Sequence, residues 1–147
     1  MESHFYNVEL KWVEDRKGRM SSPELMQDLE VATPPEFAKG ISGIWSPEHL
    51  LTAAVNSCLM TTFLAIADNS KLEFSGFHCS AKGKLELIDG KYLMSEVLLE
   101  PVLMILHPKD LERAERILQK SESACLISNS IKSKITMTPK IILKHDE

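Results

Sequence analysis

Ser46-Pro47-Glu48-His49-Leu50-Leu51-Thr52-Ala53-Ala54-Val55-Asn56-Ser57-Cys58-Leu59-Met60 is the stretch on which the fold turns. Ser46 is a capping residue, and Pro47 suits a first helical position, where its missing N–H needs no partner. Glu48 then sets negative charge at the positive end of the helix dipole. From Leu50 to Ala67 neither Gly nor Pro intervenes, and apolar residues fall on nearly every face. A helix apolar all round is a buried one. The spacing predicts it over Pro47 to Asp68, with Asn69-Ser70 ending it, and a thiol, Cys58, lies in its middle.

On the N-terminal side, His4 to Val13 alternates as a strand does, with Tyr6, Val8, Leu10 and Trp12 on the apolar face. Glu14 to Arg19 reads as a charged turn carrying Arg16 and Arg19, and Leu25 to Ala32 as a second strand that Pro34-Pro35 ends. On the C-terminal side, a long strand from Leu72 would place Phe77, Cys79, Ala81, Gly83, Leu85 and Leu87 on one face. Asp89-Gly90 is a hairpin signal, and the return strand, Tyr92 to Leu106, puts Val97, Leu99, Leu103 and Ile105 on one face. A second helix starts near His107-Pro108, with Leu111, Ala114, Ile117 and Leu118 as its apolar stripe. Residues 121–130 read as a turn and a short helix, and Lys134 to Leu143 as a closing strand. Strands, long helix, hairpin, helix and strand in that order make an α+β pattern, not an alternating βαβ one. One small sheet cannot cover a helix that is apolar all round, so a second subunit is expected on its other face.

The 147 residues suit a single domain, 1–147. The net charge of −4 and the absence of a Lys/Arg run argue against nucleic acid as a partner. The first residues carry no basic region followed by an apolar run, so no secretory signal is expected. Thr52, Asn56, Ser57, Thr61 and Thr62 interrupt the Leu50–Ala67 run, which reads as a buried helix and not a membrane span. Three cysteines, an odd number, do not make a disulfide scaffold, and a reducing, cytoplasmic setting follows.

The chemistry rests on the thiols. Cys79, between Phe77 and Ala81 on a strand face, reads as core packing. Cys58 taken alone reads as core as well, and its mid-helix position lacks the thiolate support of a helix N-terminus. To react near neutral pH it would need something cationic, for which Arg16 and Arg19 are the candidates. Cys125 precedes a possible short helix whose N–H groups would favour its thiolate. His4, His49, His78, His107 and His145 are scattered, and no CxxC or HxxxH spacing signals a metal. No phosphate loop or GxSxG occurs.

Taken together, Ser46-Pro47-Glu48-His49-Leu50-Leu51, Cys58 ten residues after Glu48, and Ser123-Ala124-Cys125 with Ser128-Asn129 resemble the OsmC/Ohr family of osmotically inducible and organic hydroperoxide resistance proteins. Trp12 to Gly18, Leu29-Glu30-Val31 and Thr33-Pro34-Pro35 look like it too, so the resemblance runs from about Phe5 to Leu143. It implies an intertwined α+β homodimer, its long central helices buried and covered by antiparallel-rich β-sheets. It also implies a thiol peroxidase acting on organic hydroperoxides. Cys58 falls on the peroxidatic position, Cys125 on the resolving one, Arg16 on the arginine that supports the thiolate, and Glu48 on the carboxylate that pairs with it. Leu126 stands where the family often has Pro, and the arginine turn is less Gly-rich than usual, which leaves Arg19 as a rival to Arg16.

On that reading the Cys58 thiolate attacks the peroxide O–O bond, becomes a sulfenic acid and condenses with Cys125 to a disulfide. An external dithiol reductant then restores both thiols, with no bound cofactor or metal. Ten helical residues span about 15 Å, so Glu48 is expected to serve the cysteine of the partner subunit. The competing readings are a binding protein for a lipid-like ligand in an apolar dimer-interface pocket, and a redox sensor.

Overall fold

The long helix, α1, runs from Pro47 to Asn69. Ser46 starts it: its Oγ accepts the His49 N–H at 3.1 Å, and its carbonyl accepts the Leu50 N–H at 2.9 Å. At the other end Lys71 adopts φ +55, while the Leu72 N–H returns to the Ala67 carbonyl at 3.0 Å and the Lys71 N–H to Asp68 at 3.1 Å. This is a Schellman closure with Lys71 in the position usually held by glycine. The structure, a computed structural model, describes residues 3–144; Met1, Glu2 and residues 145–147, His145 among them, lie outside. It forms two compact units, Met1–Leu50 and Leu51–Glu147.

In the second unit, β4 (Phe74–Ile88) and β5 (Lys91–Ile105) form an antiparallel hairpin. Asp89 and Gly90 turn it with φ +49 and +80, the pair of positive angles that a type I′ turn requires. A 3-10 turn, Pro108–Asp110, leads into α2 (Leu111–Ala124). The chain closes with β6 (Lys134–Met137) and β7 (Lys140–Leu143), both parallel to β5. The single closing strand expected from the sequence is therefore two. Pro139 lacks an N–H for the ladder, and the Thr138 N–H bonds Leu99 between them.

The core lies where α1 meets this sheet. Val55, Leu59, Phe63 and Ala67 recur every four residues, so they share one face of α1, and all are buried. Val55 and Leu59 pack with Val97 and Leu99; Phe63 and Ala67 pack with Leu103, Ile105, Ala114, Ile117 and Leu118. The Phe63 ring stacks on Phe77 with centroids 4.9 Å apart and meets Phe74 edge-on at 5.2 Å. At Gly83 the helix and strand come so close that a Cβ would collide with Thr52 Oγ1 and with Met94.

Within one chain that stripe and Cys58 are the buried residues of α1; Met60 and Leu64 remain 40% and 41% exposed. The helix is also long and apolar enough to cross a bilayer, but its Val55–Ala67 stripe is committed to the sheet. On β4 the alternation expected from Phe77 to Leu87 holds through Ala81. A bulge at Lys84/Leu85 then shifts the register, and Leu87 ends 60% exposed. Leu111 is exposed instead of joining the α2 stripe, whose fourth buried position is Ser121, its hydroxyl donating to the Ile117 carbonyl.

The first unit is an antiparallel sheet in the order β1 (Glu9–Glu14), β2 (Lys17–Ser21), β3 (Leu29–Ala32). The first strand starts later than the His4 expected, because pairing begins at Glu9, opposite Ser21. The charged turn narrows to Asp15-Arg16, and Arg19 lies on β2. That strand escapes a reading by alternation, since Lys17-Gly18-Arg19-Met20-Ser21 has no apolar period. The apolar side chains of β1 stay exposed, Leu10 by 68% and Trp12 by 73%.

Phe63→Ala should lower unfolding stability by about 3–5 kcal/mol, read as a fall in the urea midpoint with little change in slope.

Candidate thiol site

Cys58 follows the buried stripe of α1 by three residues from Val55 and is itself buried. Cys125 comes directly after the last residue of α2, extended at φ −64, ψ 114, and is buried as well. The turn after Cys125 packs on α1, Ile127 against the Val55–Leu59 cluster, and brings the two thiols close enough to act on each other, the Cys58 pKa falling and the Cys125 pKa rising. Both are free thiols.

Three further donors converge on Cys58. They are the backbone N–H groups of Ile127 and Leu126 and the hydroxyl of Thr62, whose Oγ1 lies 3.9 Å from the sulfur. Burial pushes the Cys58 thiol up, but the bonds from Cys125, Ile127, Thr62 and Leu126 together outweigh it, so its pKa lies below the ordinary thiol value. Hydrogen bonds offered to a charged form favour that form. Cys125 moves the opposite way. Burial raises it, its bond to Cys58 raises it further, and Ser128 acts against both.

The sequence suggested that N–H groups after Cys125 would support Cys125, and the Ser128 N–H does so; it also suggested that Cys58 would need a cation, whereas the groups that lower its pKa are uncharged donors. In the structure α2 continues through Ala124, so Cys125 sits at a helix C-terminus, where the dipole disfavours an anion. Of the following turn, the N–H groups of Leu126 and Ile127 act on Cys58 and that of Ser128 on Cys125. The turn is held by the Asn129 N–H on the Cys125 carbonyl at 3.1 Å and Asn129 Nδ2 on the Ser123 carbonyl at 3.1 Å. Ser130 completes it, its N–H on the Ile127 carbonyl at 3.0 Å and its hydroxyl on Leu126 at 2.7 Å. Thr62 was not picked out from the sequence, although its four-residue spacing from Cys58 puts both on one helical face.

Cys79 behaves as the packing residue expected. Burial pushes its thiol up to about 11.

Arg16 and Glu48 belong to the other unit, Met1–Leu50. Arg16 occupies the β1–β2 turn, and its carbonyl accepts the Thr33 N–H at 3.2 Å. With Leu10, Trp12, Val31, Ala32 and Pro47 it lines a largely apolar recess of about 250 Å³. Its rival Arg19 is already engaged, with Nε 3.2 Å from Asp28 Oδ2; Arg16 forms no ion pair among the described residues. Glu48 is the acidic residue of the first turn of α1.

Comparison with known proteins agrees with this architecture. The family model described as OsmC-like protein matches residues 40–140. The uncharacterized protein YmaD of Bacillus subtilis is 22% identical over 142 residues, covering 93% of each chain. An OsmC-like protein of unknown function from Vibrio cholerae superposes with a TM-score of 0.83 at 18% identity, over 93% of this chain and 99% of that one. An organic hydroperoxide resistance protein, OsmC, from Legionella pneumophila gives a TM-score of 0.72 at 18% identity, over 97% and 99%. The α+β fold with antiparallel-rich sheets, the two-cysteine pattern and the family match over most of its length agree: the chain belongs to the OsmC family.

Proposed function

We propose that this protein is a thiol peroxidase that reduces organic hydroperoxides, with Cys58 as the peroxidatic cysteine and Cys125 as the resolving one. The observation that carries the reading is the pair itself. A buried thiol whose pKa is lowered by four surrounding groups has a second buried thiol among them. The Cys58 thiolate attacks the peroxide O–O bond, leaving an alcohol and a Cys58 sulfenic acid. Cys125 condenses with that acid to a disulfide, releasing water. An external dithiol reduces the disulfide by exchange. The Legionella relative, whose name refers to organic hydroperoxide resistance, supports the substrate class.

In this reading the working unit is a homodimer in the cytoplasm. Exposed Tyr6, Val8, Leu10 and Trp12 on the first unit, and Met60 and Leu64 on α1, are the apolar surface that a second copy would cover. Glu48 precedes Cys58 by ten residues on an unbroken helix, a rise of about 15 Å. Its role is therefore assigned across the dimer, fixing the planar fork of Arg16 beside the partner subunit's thiolate. Arg16 is preferred to Arg19 because it has no ion pair of its own among the described residues and lines an apolar recess.

A second reading, passive binding of a lipid-like ligand, draws on one observation. Val8, Met20, Leu25, Met26, Leu29 and Leu50 line an apolar recess of about 720 Å³.

Hydroperoxide loss in the presence of a dithiol separates the two readings. Cys58→Ser should abolish turnover and leave ligand uptake intact; unchanged turnover would reject the peroxidase. Sedimentation should give twice the chain mass at micromolar concentration, and a monomer would remove the basis for Glu48 acting across subunits.

The thiolate is the reactive form, so a lowered pKa moves the onset of reaction to lower pH. The alkylation midpoint of Cys58 should fall below the usual value of about 8.5, and Cys125→Ala should raise it by removing one donor. A midpoint unmoved by that substitution would show that the second thiol does not support the thiolate.

A further inference from the structure

Ser128 opens the 3-10 turn Ser128–Ser130 and is nine-tenths buried. Its hydroxyl has no hydrogen-bond partner among the described residues. A buried hydroxyl left without a partner costs about 1–3 kcal/mol. The neighbouring hydroxyls are spent on backbone carbonyls, Ser130 on Leu126 and Ser121 on Ile117. Ser128 is the exception: its unpaired hydroxyl lies three residues after the buried Cys125, in the turn that the Asn129 N–H closes onto the Cys125 carbonyl, and its hydroxyl and N–H both favour the Cys125 thiolate. Asn129 fixes the position, gripping the Cys125 and Ser123 carbonyls from the next residue along.

We propose that Ser128 is a catalytic residue of the resolving step: its hydroxyl donates to the Cys125 sulfur as that sulfur becomes a thiolate, and so speeds disulfide closure. This rests on the peroxidase reading above. At rest burial and Cys58 keep Cys125 protonated, and the Ser128 hydroxyl has nothing anionic to bond. Once Cys58 is a sulfenic acid, Cys125 must give up its proton to attack. Burial and the C-terminal end of α2 oppose that loss. Among the described residues the titratable group acting on this sulfur is Cys58, and the donors able to offset the opposition are those of Ser128. The Cys125 thiolate then forms the S–S bond, the Cys58 S–O bond breaks, and the departing hydroxide takes up the proton that Cys125 released, giving water. Cys125 is oxidised and the sulfenic sulfur is reduced.

The test is a single turnover with one equivalent of tert-butyl hydroperoxide, quenched at intervals with a thiol-blocking reagent and read by intact mass. In Ser128→Ala, addition of one oxygen at Cys58 should keep the parent rate, while loss of two hydrogens on closure should slow about tenfold, the effect of a hydrogen bond to a charged group. Ser128→Thr, which keeps the hydroxyl, should restore closure. In a Cys58→Ser background, Ser128→Ala should also raise the pH midpoint for Cys125 alkylation. Closure as fast as in the parent, or a Cys125 midpoint that does not move, would overturn the proposal. If Cys58 of the parent gains no oxygen, it is the peroxidase reading that fails, and the Cys125 titration still decides what Ser128 does.

Discussion

The packing of Val55, Leu59, Phe63 and Ala67 against the inward side chains of β5 sets everything else in the second unit. Each of the three larger ones, fully buried, contributes about 1.5–3 kcal/mol, and together with Ala67 they fix the rotation of α1 about its axis. That rotation decides what Cys58 faces. It lies next to Leu59, with Thr62 one turn on, and meets the turn that leaves α2. Ala114, Ile117 and Leu118 bring α2 onto the same core, and its last residue delivers Cys125. Hydrophobic burial, which has no direction of its own, thus places two thiols close together because helix and strand periods leave little choice.

At the site itself burial works against the chemistry. Removing Cys58 from water disfavours its thiolate, and Cys125 suffers the same penalty. What separates the two is the supply of donors. On Cys58 act a thiol, two backbone N–H groups and a hydroxyl; on Cys125 act the hydroxyl and N–H of Ser128, against burial, Cys58 and the carboxyl end of a helix. Two chemically identical groups are driven apart in acidity by their surroundings.

Much of the fold was legible in the sequence, for identifiable reasons. The start of α1 was written in Ser46-Pro47-Glu48, and the hairpin turn in Asp89-Gly90, whose conformation few other residue pairs tolerate. The inward residues of β5 followed from strict alternation. The failures share a cause, since each depends on a partner distant in sequence. β2 was invisible because Lys17–Ser21 owes its strand state to pairing with β1 and β3. The bulge at Lys84/Leu85 flipped a face that period alone could not flip. At the site, both cysteines were legible as a pattern, and Cys125 does precede a short helix, Ser128–Ser130. What the sequence did not show is that α2 continues to Ala124, since helix ends are where local sequence is least decisive.

The closeness of the two thiols also bears on how firmly the chain holds together. Cys58 and Cys125 both lie in the Leu51–Glu147 unit, and a bond between them would tie α1 to the end of α2, enclosing the whole β4–β5 hairpin. In the chain-entropy account a cross-link closing a loop of that length removes about 4 kcal/mol of freedom from the unfolded state. The oxidised protein would then be the mechanically sturdier of its two forms, and each encounter with oxidant would leave the molecule harder to unfold until its thiols were restored.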